Sequence, residues 1–235
     1  LRGFGASIRV GPEAATSIAH QVALLTLVNL ARRTLLGGVE VLGVSDAPLL
    51  VPLARARSLA DAVVKLGGTL ATTGNPLWPA AQIGTVSPPA DVTAWRLTWQ
   101  GWRGGVVPRH DARRLSDDAA NPLAAAMTAA TAAAELFAWH AKDHPMAGRR
   151  AAGLSLWNPG SDWVAPDASE PALSYLPASL WLIGLGNLGQ AFAWLLACLP
   201  YADRGKVELT LQDYDLIADS NDSTSLLSSL PLVGT

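Results

Sequence analysis

Trp181-Leu182-Ile183-Gly184-Leu185-Gly186-Asn187-Leu188-Gly189-Gln190 is the stretch on which the reading of this 235-residue chain turns. Three apolar residues run into three glycines, and Gln190 to Leu199 then continues as an apolar, amphipathic run. The pattern is G-x-G-x-x-G between an expected strand and an expected helix. Gly184 permits a tight turn. Gly186 lets backbone approach a phosphate with no Cβ in the way, and Gly189 allows helix and strand to pack closely. The N-terminus of the helix adds free N–H groups and a partial positive charge, which suits an anion.

Working outward, Lys206 to Gln212 alternates Val207, Leu209 and Leu211 with polar residues, the period of a half-buried strand. It ends at Asp213, 24 positions after Gly189. An acidic residue roughly 20 positions beyond the glycines, at the tip of the second strand, can accept hydrogen bonds from ribose hydroxyls. Strand, glycines, helix, strand and acid in this order predict an α/β fold with a Rossmann-like nucleotide-binding half, three-layered around a mainly parallel sheet. The bland reading of the same glycines is a tight turn with no ligand. Taken alone, the glycine motif points to NAD(P) and an oxidoreductase.

The run after the acid points elsewhere. Asp213-Tyr214-Asp215-Leu216-Ile217-Ala218-Asp219-Ser220-Asn221 resembles the ThiF/MoeB-type adenylyltransferases, the family of ubiquitin-activating enzymes. Those proteins carry a glycine motif, a D-x-D, a short hydrophobic spacer and Ser-Asn. Asn221 stands eight positions after Asp213, the spacing of that family. The resemblance covers about residues 180–235. It implies binding of ATP with Mg²⁺ and adenylation of the C-terminal carboxylate of a ubiquitin-like or sulfur-carrier protein by a cytoplasmic homodimer. The nucleotide contacts it implies are Gly184, Gly186, Asn187, Gly189, Asp213, Asp215 and Asn221, with no metal ligand and no catalytic residue assigned. Gly184, Gly186 and Gly189 would meet the phosphates, Asp213 the ribose, and Asn221 would help fix the nucleotide. One position departs from the pattern: the family usually has an arginine three residues after the asparagine, and here Thr224 stands there. A hydroxyl cannot neutralise phosphate charge as a guanidinium does. A non-catalytic scaffold that keeps a decayed nucleotide fold is therefore a further alternative.

Upstream, strand and helix signals alternate. Ser7 to Val10 reads as a strand, Ala14 to Leu36 as a helix stopped by Gly37-Gly38, and Val39 to Val44 as a strand. Ser58 to Lys65 reads as a helix, and residues 74–91, with Gly74, Pro76, Pro79, Pro88 and Pro89, as a loop. Val92 to Gln100 alternates as a strand. Asn121-Pro122 opens an Ala-rich helix to about Lys142, and Gly153 to Trp157 reads as another strand. The expected organisation is an α/β half over 1–158 without a nucleotide site, degenerate by the resemblance. A turn-rich linker over 159–178 and the start of an incomplete nucleotide-binding half over 179–235 follow.

Half of the residues are hydrophobic and 15% are charged, a composition that excludes a disordered chain. A formal net charge of −2 gives no broad field for nucleic acid or an anionic membrane. No basic segment followed by an apolar core opens the chain, so no secretory signal is read. It begins at Leu1 rather than methionine, as a fragment or a processed form does. Leu180 to Pro200 has the length and the lack of charge of a membrane span. Its glycines, Asn187 and Gln190 favour strand, turn and helix.

The remaining tempting residues have simpler readings. Cys198 lies in an apolar helix, where a free thiol behaves as a small hydrophobe. His140 and His144 have the spacing of a helical metal pair, but Pro145 follows at once, and a solvated helix end is simpler. Arg113-Arg114 and Arg149-Arg150 read as solvated charge. Trp95, Trp99 and Trp102 read as packing rather than a binding face.

Overall fold

The computed structural model describes residues 2–53, 55–87 and 92–235. The chain forms two compact units, Leu1–Ala172 and Leu173–Thr235. In the first, a seven-stranded sheet is built from β1 (Gly5–Val10), β2 (Gly38–Leu42), β3 (Thr69–Leu70), β4 (Ala80–Ile83), β5 (Ala94–Gln100), β6 (Arg103–Pro108) and β7 (Ala152–Ser155). Its order is β3-β2-β1-β4-β5-β6-β7. The strands from β3 to β5 are parallel, and β6 and β7 run antiparallel at one side. The order 3-2-1-4-5 is that of a Rossmann-like sheet, whose direction of winding reverses between β1 and β4. The α/β class with a mainly parallel sheet is thus the observed one.

α1 (Ile18–Thr34) and α3 (Pro122–Ala141) pack heavily on each other and on the sheet. The alanines at 124, 125, 126, 129 and 132 are all buried, and their small side chains let the two helices approach closely. Asn121 caps α3 by accepting a hydrogen bond from the Leu123 N–H at 3.1 Å, with Pro122 in the first turn. Lys142 closes α3 in the left-handed conformation, φ 55°. α2 (Leu59–Lys65) is capped by Ser58 and lies beside β3 and α1. Trp95 and Trp99, on β5, are 1% and 0% exposed and belong to the core.

Three expectations need correction here. Ala80–Ile83, inside the segment read as loop, is a fully buried strand between β1 and β5. It has one β-branched residue and stands between Pro79 and Gly84, so its composition gives no strand signal and tertiary pairing decides. Pro88 and Pro89 of that segment lie outside the described residues. The long helix read from Ala14 is broken: Pro12–Ala15 is a separate 3-10 turn, and Ser17 caps the true start of α1. The arginine pairs do more than solvate the surface. Arg114 Nη2 lies 2.8 Å from Asp117, and Arg150 Nη2 lies 2.5 Å from Glu135; both carboxylates are buried.

The second unit contains β8 (Ser179–Ile183), α4 (Asn187–Cys198), β9 (Glu208–Gln212) and α5 (Asn221–Thr224). β8 and β9 pair in parallel, from Ser179 opposite Glu208 to Ile183 opposite Gln212. Residues 180–200 are therefore strand, bend and helix. Among the described residues, no helix is long and apolar enough to cross a membrane.

Candidate functional site

The parallel pairing of β8 and β9 brings both strand ends to one edge, and the bend and the acid meet there. Gly184 has φ +88°, a conformation that L side chains rarely adopt, and its N–H donates to the Gln212 carbonyl at 2.8 Å. The next amide, Leu185 N–H, donates to Asp213 Oδ2 at 2.5 Å. Asp213 Oδ1 accepts from the N–H groups of Tyr214 at 2.7 Å and Asp215 at 3.0 Å. These backbone donors, that of Asp215 foremost, hold the Asp213 carboxyl below its usual range although the side chain is exposed.

The glycines divide the work. A Cβ on Gly189 would fall under 3.0 Å from the Gly184 carbonyl oxygen, a separation real Cβ atoms do not adopt. Gly189 is thus what allows α4 to start against the bend. Around Gly186 a Cβ would meet nothing within 4 Å. Gly186 is the N-cap of α4, and no side chain caps that helix. No side chain therefore occupies the helix start, and an uncapped first turn is an arrangement able to receive an anion.

Asn187 and Asn221 are joined through a third residue. Ser225 Oγ donates to Asn187 Oδ1 at 2.6 Å, and Asn221 Nδ2 donates to Ser225 Oγ at 3.5 Å. Asn221 Oδ1 accepts from Ala218 N–H at 2.8 Å, so this side chain also shapes the turn that leads into α5. Asp215 lies at the same edge, exposed. Thr224 Oγ1 donates to the Ser220 carbonyl at 3.0 Å and is occupied with its own turn.

Sequence reasoning missed Gln190, Ser225 and Ser228. Gln190 Nε2 donates to the Leu185 carbonyl at 2.9 Å and to Ser228 Oγ at 2.8 Å, while its Oε1 accepts from Leu227 N–H at 2.8 Å. Ser225 and Ser228 are 0% and 1% exposed. Together these side chains tie residues 221–228 to the bend and the first turn of α4. The available signal was a lone glutamine directly after the third glycine, in a helix otherwise apolar.

The corresponding bend in the first unit is built differently. β1 ends at Val10, Gly11 follows, and Glu13 in the next turn sends its carboxylate back to the end of β4. Both oxygens lie 3.0 Å from the Thr85 amide. A Cβ on Gly11 or Gly84 would clash with Glu13 Oε2. At this winding reversal the chain places a carboxylate of its own on a backbone amide. Beside it, a cavity of about 310 Å³ at the ends of β1 and β2 is lined by Val10, Gly11, Pro12, Leu59 and other small residues, with Ser45 the one polar side chain in the lining.

The other candidate residues have structural partners. Burial pushes the Cys198 thiol up to about 12, far from a reactive thiolate. His140 stacks on Phe4, with ring centroids 4.6 Å apart, and its Nε2 lies 2.7 Å from the Gly5 carbonyl. His144 accepts from Met146 N–H at 3.0 Å and lies 3.3 Å from Arg150. His20 is buried against Trp99, and burial lowers its pKa despite the pull of Asp117 and Glu13.

The fold and the bend define an α/β protein with a Rossmann-type glycine turn and a strand-tip carboxylate. The particular family follows from comparison with known proteins. The model of the BilD N-terminal domain matches residues 5–156, and that of the BilD C-terminal domain matches residues 176–235. This chain belongs to the BilD family. The Bacterial E1-like protein BilD of Collimonas sp. (strain OK412) is 57% identical over 229 residues, covering 97% of this chain and 50% of that protein. The chain thus spans about half the length of that relative. The assignment to the ThiF/MoeB-type adenylyltransferases is corrected by these matches, which are to BilD domains over both halves. The resemblance rested on nine residues from Asp213 to Asn221 and on a glycine turn that many α/β proteins share.

Proposed function

We propose that this chain supplies an ATP-binding bend to an E1-like protein that activates the C-terminal carboxylate of a ubiquitin-like modifier. The observation that carries the reading is the Asp213 carboxylate on the Leu185 amide, beside the uncapped first turn of α4. The N–H groups of that turn would hold phosphate oxygens, with Gly186 leaving room for their approach. Asp213 would take ribose hydroxyls, and Asn187 and Asn221, linked through Ser225, would fix the loop beside the nucleotide. Mg²⁺ would arrive with the phosphates, since that ion binds through phosphate oxygens, water and few carboxylates. Bound ATP would supply an activated α-phosphate for attack by a carboxylate, the α–β anhydride bond breaking as pyrophosphate leaves. Attack brings two anions together, so aligned donors and positive charge must offset their repulsion. The E1-like part of this reading is supported by the Collimonas relative, a bacterial E1-like protein.

Calorimetry with ATP–Mg²⁺ tests it. Saturable binding that Asp213→Ala weakens by about tenfold or more is expected, since a charge-assisted hydrogen bond contributes on the order of 1.5–3 kcal/mol. Tighter binding of NADH than of ATP, or unchanged affinity in Asp213→Ala, would overturn it. A second reading, a scaffold without adenylation, is favoured by Thr224, whose hydroxyl is spent on Ser220. ATP binding without pyrophosphate–ATP exchange in the full-length protein would select it.

A further inference from the structure

The first unit carries a second polar assembly, on the face of its sheet opposite Trp95 and Trp99. In the parallel register, Arg9 of β1 stands beside Gln82 of β4, and Gln82 beside Arg96 of β5. Side chains in register across parallel strands project from one face, at the strand spacing of about 4.8 Å. Gln82 is 1% exposed, and both its Nε2 and its Oε1 lack a hydrogen-bond partner. Arg9 Nε is likewise buried and unpartnered. Among the described residues, no carboxylate pairs with Arg9 or Arg96. On the neighbouring strand β2, Glu40 is held by Ser7 Oγ at 3.3 Å and by the Asn75 amide at 2.7 Å. Farther along the same face the arginine is neutralised, for Arg103 Nε lies 2.7 Å from Glu170.

A buried amide with no partner keeps its desolvation cost uncompensated, and partly buried guanidinium groups add to that cost. A ligand that pairs with these groups would remove that cost. Two planar, always-charged forks flanking an amide donor match the oxygens of a carboxylate or a phosphoryl group. We propose that Arg9, Gln82 and Arg96 form an oxyanion-binding site on this sheet face. It is independent of the nucleotide reading, because all three residues lie in the first unit.

The test is a titration of the 235-residue chain followed by ¹H–¹⁵N NMR of the arginine Nε–H and glutamine side-chain amide signals. Inorganic phosphate and acetate are the two probes, with sodium chloride as the ionic-strength control. Saturable shifts of the Arg9, Gln82 and Arg96 signals with phosphate, with acetate or with both are expected, and the preferred probe identifies the source chemistry. Arg96→Gln should weaken that binding at least about tenfold, and Arg96→Lys, which keeps the charge and loses the fork, by an intermediate factor. The lysine variant also serves if the glutamine variant does not fold. Shifts no larger than those from chloride, or saturation unchanged in either Arg96 variant, would overturn the site.

Discussion

The carbonyl oxygen of Gly184 occupies the space in which a side chain on Gly189 would begin. The first and third glycines of the bend are thus a contacting pair. Gly189→Ala should destabilise the second unit by about 1–3 kcal/mol, the usual cost of forcing atoms into a filled space. Gly186→Ala, where a Cβ meets nothing, should leave stability within about 1 kcal/mol of the parent. Urea unfolding followed by tryptophan fluorescence checks the contrast, and equal losses in both variants would contradict the packing described.

Asp213 gives a pH prediction of definite sign. Its carboxyl is held low by the amides of Asp215, Leu185 and Tyr214. Its bonds to the bend are therefore intact above the ordinary aspartate value of about 3.9 and are lost only as pH falls through the lowered value. In an NMR titration the Leu185 amide should shift with a midpoint below that ordinary value. A midpoint at or above it would contradict the contact.

Ser225 and Ser228 should act together. Each single change to alanine removes a buried hydrogen-bond partner, of Asn187 or of Gln190, and should cost about 0.5–1.5 kcal/mol. The double variant should expose residues 221–228 to fast amide exchange while β8 and β9 stay protected. Unchanged exchange in that segment would mean that the serines do not dock it.

Cys198 should resist alkylation. With its thiol pushed up to about 12, only about one molecule in ten thousand carries the thiolate at pH 8. Iodoacetamide labelling should be slow in the folded chain and rapid in denaturant. Fast labelling of the folded chain would show that the helix opens.

What was legible in the sequence, and what was not, divides along physical lines. The bend at 184–189 was legible because glycine spacing encodes backbone geometry directly, and the cap at Asn121 is a local feature as well. Strand β4 was hidden because Ala80–Ile83 owes its state to β1 and β5, remote in sequence. Ser225 and Ser228 were hidden for a similar reason: their partners stand 38 positions back in the chain. The family was misread because a short local run encodes a bend and a strand tip but not the lineage of the domains around it.

The Glu13 contact predicts that the two units respond unequally to dissolved anions. The first already holds a negative group of its own at its winding reversal, so its melting needs no help from dissolved anions at that point. The second has no side-chain cap on α4, and on the proposed ATP binding mass action would make its endurance depend on what is dissolved around it. In a heating scan with rising ATP, the transition of the second unit should climb while the other is indifferent at the Glu13 bend.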